Sequence, residues 1–140
     1  MFELVSNAVS SLQSETANYP QNIQLWMKLM GMSFLASVAF IYTKTGARLI
    51  LLAFVLNILG LLVGKIVFPD ASRTSIGTTV HILFWSPILW AVLRSFKQLS
   101  LSRAQNSLYD WTYIVWLAWV CLLMSTSLLL DVRTVLLTLF

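Results

Sequence analysis

Long apolar stretches alternate with short polar ones along this chain, and their lengths predict helices that cross a membrane. Two apolar stretches, 47–68 and 76–96, are separated only by a polar link at 69–75. Each is about the length needed to cross a hydrocarbon core of roughly 30 Å at 1.5 Å per residue. We therefore predict a transmembrane helical hairpin, around which the rest of the chain is arranged.

Two further apolar stretches complete the predicted architecture. Residues 25–42 and 111–130 are each long enough for one more span. The tail 131–140 is apolar after two charges, so it either extends the last helix or folds onto the interface. The predicted fold class is an all-α integral membrane protein, an antiparallel bundle of four transmembrane helices in a single domain over residues 1–140.

The segment 1–17 precedes the first predicted span and has a helical pattern of its own. Its apolar side chains recur at the spacing of one helix face, and they are Phe2, Val5, Val9 and Leu12. This pattern predicts a short amphipathic helix on the membrane surface. Because its charged residues are acidic, attraction to anionic lipid would not hold it there. Docking on the bundle or on a partner is one interpretation, and a mobile tail is the other.

Composition supports a membrane location and excludes several functional classes. Hydrophobic residues make up 59% of the chain and charged residues only 10%, whereas soluble domains carry about a quarter charged residues. The net charge of +4 comes from scattered basic residues, so we predict no nucleic-acid partner. The single cysteine excludes an intramolecular disulfide and a Cys-x-x-Cys redox pair. No catalytic or metal-binding motif is present, so we do not expect an enzyme.

The distribution of lysine and arginine predicts the orientation. With four spans, the turn at 43–48 and the linker at 94–110 lie on the same side of the membrane. They carry five basic residues, Lys44, Arg48, Arg94, Lys97 and Arg103. Since basic loops favour the cytoplasm, both termini are predicted to face away from it. We expect a bacterial inner (plasma) membrane.

Small residues on the second predicted span mark a helix-packing face. They share this face with one polar residue, and the set is Ala53, Asn57, Gly60 and Gly64. The two glycines form a GxxxG pattern, which allows close approach of helix backbones, and an amide can hydrogen-bond across such a contact. The face predicts packing within the monomer or, alternatively, a homodimer.

A proline interrupts the third predicted span. Pro87, preceded by Ser86, lies well inside the apolar stretch 76–96. Proline removes one helical hydrogen bond and leaves a carbonyl group about four residues earlier without its partner. We therefore predict a kink at this position, which serves either gating or the fit between helices.

His81 is the only histidine and lies inside the third predicted span, which makes it the leading site candidate. A neutral imidazole there could ligate a haem or pigment, or hydrogen-bond a quinone; alternatively it bonds to a neighbouring helix. Lys65 and Arg73 flank the same hairpin loop. With His81 they could form a basic pocket for an anionic headgroup or other small anion, although Lys65 can instead reach the interface. Trp85, on the same face as His81, completes the candidate site.

Three functions remain open from the sequence. The first is an accessory, assembly or interaction subunit of a larger membrane complex, whose partners are the lipid bilayer and other subunits or further copies of itself. The second is a homo-oligomeric channel or carrier for a small solute, with an anion favoured because the charges inside the spans are basic. The third is a haem-, pigment- or quinone-binding redox protein that uses His81. No cofactor is required by the sequence.

Overall fold

A computed structural model describes residues 2–101 and 107–139 of the chain, and the side chains of these residues except at 96–101 and 138–139. Two basic residues used in the orientation argument lie outside this description: Arg103 entirely, and Lys97 in its side chain. All regular structure in the described residues is helical. The elements are α1 (Phe2–Ala17), α2 (Gln21–Leu35), a 3₁₀ turn (Ala36–Ala39), α3 (Thr45–Val67), α4 (Arg73–Val80), a π-helical turn (His81–Trp85), α5 (Ser86–Leu101) and α6 (Leu108–Leu139).

Three helical segments of the described chain are long and apolar enough to cross a membrane. They are Thr45–Val67, Arg73–Ser95 and Leu108–Leu137. The second of these is a continuous rod that consists of α4, the π turn and α5 as far as Ser95. The prediction of an all-helical protein with membrane-spanning helices is therefore confirmed at this level.

The first predicted span, 25–42, is not one uninterrupted α-helix. α2 ends at Leu35, and the chain tightens into the 3₁₀ turn before α3 begins. Arg48 stabilises this ending, because its guanidinium group donates hydrogen bonds to the carbonyl oxygens of Ile41 at 2.7 Å and Tyr42 at 3.0 Å. These carbonyls follow the last helical turn and need a partner from outside the helix.

α6 is the longest helix and includes most of the predicted tail. The tail 131–140 had two predicted conformations, and the described part of it continues the helix to Leu139. No glycine or proline interrupts the sequence after Leu130, so nothing in the local sequence ends the helix there. As a result Asp131, predicted to mark the end of a span, lies inside a helix.

The core lies where α2, α3, α5 and α6 meet. Its side chains that are buried almost completely come from all four helices and include Phe34, Ile50, Ala53, Trp85, Val92, Tyr113, Leu117, Val120 and Met124. α3 packs closely against α4 through its glycines. A Cβ atom added at Gly60 would lie 2.7 Å from Cγ2 of Val80, and one added at Gly64 would meet Ile76. The small-residue face thus lies against α4 of the same chain.

α1 packs through only part of the apolar stripe that the sequence predicted. Phe2 is 87% exposed and Val9 39% exposed, whereas Val5 and Leu12 are half-buried and lie on the same side as the buried Ala8. α1 contacts both α3 and α4, and its inward face carries Glu15 toward the loop that joins them. The apolar stripe therefore indicated half of the packed face, and the contacts of Glu15 lie on this packed side as well.

Candidate functional site

A pocket of about 440 Å³ lies between α2, α3 and the α4–α5 rod. One wall is apolar and is formed by side chains of α2 and α3, among them Ile23, Met27, Met30, Phe34, Phe54, Ile58 and Leu61. The opposite wall comes from α4 and the π turn and carries Thr78, His81 and Trp85, with Asp131 of α6 beside them. Such a pocket, largely apolar with a few converging polar groups, is typical of small-molecule sites.

Asp131 determines the hydrogen bonding of His81. Its Oδ2 lies 2.7 Å from Nδ1 of His81, and its Oδ1 accepts a hydrogen bond from the Thr78 hydroxyl group at 2.8 Å. Thr78 and His81 are three residues apart, so they share one side of the helix and meet the same carboxylate. Because a carboxylate only accepts hydrogen bonds, Nδ1 of His81 carries a proton. The ring's other nitrogen, Nε2, has no hydrogen bond in the described part of the chain.

Trp85 lies directly under His81 in the site. The two rings are stacked with centroids 3.9 Å apart and an angle of 27° between their planes. Trp85 is only 2% exposed and also contacts the ring of Phe34. Its indole Nε1 is buried and has no hydrogen-bond partner among the described residues. A buried donor without a partner is rare and costs about 1–3 kcal/mol.

Asn57, a second residue of the pocket lining, also has an unpaired polar atom. Its Oδ1 is buried without a hydrogen-bond partner among the described residues, and the residue lines the pocket. The sequence predicted that this amide would hydrogen-bond across the small-residue face, and the structure places it beside the glycine contacts rather than in a bond between helices. Ser37 is the third described residue with such an atom, and it does not line this pocket.

The π-helical turn over His81–Trp85 gives this wall its shape. It lies immediately before Ser86 and Pro87, where the sequence predicted a kink. Because Pro87 has no N–H group, the preceding turn cannot keep the regular α-helical hydrogen bonds. A π turn widens the helix at this point, and single π turns inside α-helices occur frequently at functional sites.

The predicted basic pocket of His81, Lys65 and Arg73 does not assemble. Lys65 is 7% exposed and does not line the pocket. Its Nζ donates to Oε1 of Glu15 at 2.7 Å and to the Ala71 carbonyl oxygen at 2.9 Å. Its charge is therefore neutralised by Glu15 of α1 and does not serve an anion in the pocket.

Arg73 lies at the end of the pocket near the α3–α4 loop. Its backbone N–H donates to Oε2 of Glu15 at 2.6 Å, and its guanidinium Nη1 contacts the sulfur of Met27 at 3.1 Å. Beside it, the Tyr19 hydroxyl group is hydrogen-bonded to that of Thr74 at 2.8 Å. The bonds from Lys65 and from the backbone of Arg73 lower the pKa of the Glu15 carboxyl group below its ordinary value.

The sequence therefore indicated part of the site and missed two carboxylates, Asp131 in the pocket and Glu15 next to it. His81, Trp85 and Arg73 line one pocket, as does Asn57, which had been assigned to helix packing. Glu15 and Asp131 were not selected, because each acts through a contact about fifty residues away in the chain. A signal was available for both: a lysine or histidine inside an apolar segment needs a partner, and an uninterrupted tail allows Asp131 to be helical.

The arrangement has the features of a site that binds a small molecule. Among the described residues, no three His, Cys, Asp or Glu side chains lie close enough together to hold a metal ion. The pocket offers hydrogen-bonding groups on the wall of Thr78 and His81 and, through Asn57, on the α3 wall, together with aromatic and aliphatic surface. No family model, curated protein or solved structure matches the chain. Any function proposed for it therefore depends on its own sequence and structure.

Proposed function

We propose that this chain is a membrane-embedded binding protein for a small lipid-soluble molecule, held in the pocket beside His81 and Trp85. The observation that carries the proposal is the indole Nε1 of Trp85, a donor buried in the pocket wall without a partner among the described residues. Burial of such a donor is costly unless an acceptor meets it. A ligand that carries an acceptor supplies that partner.

The hydrogen-bonded pair of His81 and Asp131 supports the same proposal. Asp131 orients the imidazole and occupies Nδ1, so Nε2 remains for a ligand. A carboxylate behind a histidine is a common way to orient a ring that ligates or hydrogen-bonds another group. Because Nε2 then accepts, it can ligate the metal of a haem or pigment or accept a hydrogen bond from a ligand that donates one, whereas a quinone carbonyl group offers it no proton.

Co-purification with a pocket-filling variant tests the proposal. Gly31 lines the pocket, and a Cβ atom added there meets nothing within 4 Å. We expect Gly31→Leu to fill the pocket and to lose a molecule that accompanies the wild-type protein through mild-detergent purification, as measured by mass spectrometry of organic extracts. Ser125→Leu, on the exposed face of α6, is the matched control and should retain it. Identical extracts from all three proteins would contradict the proposal.

A role as an accessory or assembly subunit is the second candidate, and the length of α6 favours it. This helix has 32 residues, which is about 48 Å at 1.5 Å per residue, well beyond a hydrocarbon core of roughly 30 Å. Its last turns expose Leu136 and Leu137. These turns offer an apolar surface to another membrane subunit or to a second copy of the chain. A reproducible partner that is lost when residues 134–140 are deleted would support this role.

A channel or carrier for an anion has less support. That proposal used the basic charge inside the spans, and Lys65 is paired with Glu15. Conductance of the purified chain in liposomes, unchanged by Gly31→Leu, would favour this function over ligand binding.

We further propose that residues 21–39 form a fourth pass, which would complete a four-helix bundle. α2 and the 3₁₀ turn together extend about 30 Å at 1.5 and 2.0 Å per residue. Tyr19 bonds to Thr74 at one end of this segment, and Thr43 bonds to Tyr109 at the other, each at 2.8 Å. With four passes in a bacterial inner membrane, both termini lie outside the cytoplasm.

A further inference from the structure

We infer that the ligand of this pocket carries an uncharged hydroxyl group on an apolar body. The inference rests on the proposed function and deepens it, because it specifies the chemical class of the ligand. It depends on two buried atoms with opposite requirements, Nε1 of Trp85 and Oδ1 of Asn57. Both residues line the same pocket.

A group that both donates and accepts can satisfy the two atoms at once. An indole N–H can only donate a hydrogen bond, and an amide oxygen can only accept one. A hydroxyl group does both: its oxygen accepts from Trp85, and its proton is donated to Asn57. A quinone carbonyl group would meet Trp85 but would leave Oδ1 of Asn57 unpaired.

His81 provides a further acceptor for the hydroxyl proton. Its Nδ1 proton is directed to Asp131, so in a neutral ring Nε2 accepts. The ring stacks on Trp85 with 3.9 Å between centroids, which keeps this acceptor near the indole. The second hydroxyl group of a diol or hydroquinone could use it.

The charges around the pocket argue against an anionic ligand. A carboxylate head would accept from Trp85 but would then face the amide oxygen of Asn57 and the carboxylate of Asp131. Arg73 is the cation that lines the pocket, but it lies at the end near the α3–α4 loop. Trp85 follows it by twelve residues, which corresponds to about 18 Å along a helix. The indole N–H group of Trp85 is therefore far from the positive charge.

The hydroxyl group can belong to an aromatic ring or to an aliphatic alcohol. Phe34 packs its ring against Trp85 at 5.2 Å and against Phe54 at 6.3 Å between centroids. Such aromatic surface accepts a phenol or hydroquinone ring well. An isoprenoid or fatty alcohol has the same hydrogen-bonding head without a ring.

Four probes distinguish these possibilities: 2-decylhydroquinone, 2-decyl-1,4-benzoquinone, dodecan-1-ol and dodecanoate. Their dissociation constants are measured by equilibrium dialysis against the full chain in nanodiscs, with empty nanodiscs subtracted. We expect the hydroquinone to bind about tenfold more tightly than the quinone, as one added hydrogen bond allows. Equal or tighter binding of dodecan-1-ol would identify an aliphatic alcohol as the hydroxyl compound.

The outcomes separate this inference from the proposed function. If the quinone or dodecanoate binds as tightly as both hydroxyl probes, the hydroxyl inference is wrong and the binding function stands. If no probe binds the chain and Gly31→Leu loses no co-purifying molecule, both fail.

Two substitutions assign the hydrogen bonds. Trp85→Phe keeps a ring and removes the donor, so it should weaken the hydroquinone and the quinone alike, by about five- to tenfold. Asn57→Leu removes the acceptor and should weaken the hydroquinone alone. Trp90→Phe, at an exposed position of α5, should change neither. A purely structural role for Asn57 would weaken all probes equally, and this result would overturn the assignment.

Discussion

Asp131, in the last third of α6, lies 2.7 Å from His81 of the π turn through Oδ2 and Nδ1. The same carboxylate accepts a hydrogen bond from the Thr78 hydroxyl group, which is largely buried. One side chain therefore satisfies two polar groups on the neighbouring helix and positions one wall of the pocket. Because the contact joins residues that are 50 positions apart, it also connects α6 to the α4–α5 rod.

Removing this carboxylate should destabilise the protein. Asp131→Leu leaves the Thr78 hydroxyl group and Nδ1 of His81 without their partner, so we expect a loss of about 2–3 kcal/mol in the free energy of unfolding. Arg133→Leu, at an exposed position two residues further along α6, should change it by less than about 0.5 kcal/mol. Denaturant unfolding in detergent measures both. Equal stability of the two variants would show that the contact contributes little.

Alanine should have opposite effects at Gly60 and Gly31. Gly60 lies in the close contact between α3 and α4, whereas Gly31 of α2 faces open space. In Gly60→Ala the new Cβ atom lies 2.7 Å from Val80, and overpacking of this kind costs about 1–3 kcal/mol. In Gly31→Ala the new Cβ atom enters open space, so lower flexibility of the unfolded chain should stabilise the helix by about 0.5–1 kcal/mol. Melting temperatures in detergent provide the comparison. A stabilised Gly60→Ala variant would contradict the packing.

The contact between α1 and Lys65 should depend on pH. Hydrogen bonds from Lys65 and the backbone of Arg73 lower the pKa of Glu15 below its ordinary value of 4.5. A lowered folded-state pKa adds stability that is fully present above 4.5 and is lost as the pH falls through the folded-state pKa. The melting temperature of the wild type should therefore exceed that of Glu15→Gln near neutral pH, and the difference should shrink below about pH 4.5.

Glu3→Gln provides the control for this pH dependence. Glu3 is an exposed carboxylate of the same helix, so its variant should follow the wild type at every pH. A difference between wild type and Glu15→Gln that stays constant down to about pH 3 would exclude this carboxylate as the cause.

The proposed topology predicts a labelling pattern in intact bacterial cells. In a Cys121→Ser background, single cysteines at exposed positions, Ser6→Cys and Asp70→Cys, should react with a membrane-impermeant thiol reagent, because both lie on the side of the termini. Thr45→Cys should react only after the cells are permeabilised. Reaction at position 45 but at neither 6 nor 70 would reverse the orientation. Reaction at 6 together with 45, but not at 70, would contradict the four-pass arrangement.

Much of the fold could be predicted from apolar length, because a run of twenty apolar residues has few other possible structures. α3 and the α4–α5 rod lie close to the predicted spans 47–68 and 76–96. The first span differed because Phe40 packs among aromatic side chains at the start of α6, and the chain tightens into a 3₁₀ turn before it. This contact is tertiary, so no local pattern indicates it.

The candidate site could be predicted only in part, because a sequence indicates which polar groups are unusual but not which of them pair. His81 was recognised as a lone histidine in an apolar span, yet its partner Asp131 was assigned to the end of another helix. Lys65 was grouped with His81 by their nearness to one loop, whereas Glu15 of α1 binds it instead. Both differences follow from electrostatic pairing across the fold.

The indole N–H resonance of Trp85 tests the central claim most directly. In ¹⁵N-labelled protein its signal is assigned as the indole resonance that is missing from Trp85→Phe. On addition of 2-decylhydroquinone we predict that this resonance moves downfield and exchanges more slowly with solvent, because the N–H gains an acceptor. The resonance of Trp90, whose side chain is 60% exposed, should stay in place. A Trp85 resonance that does not change while equilibrium dialysis shows the probe bound would contradict the account.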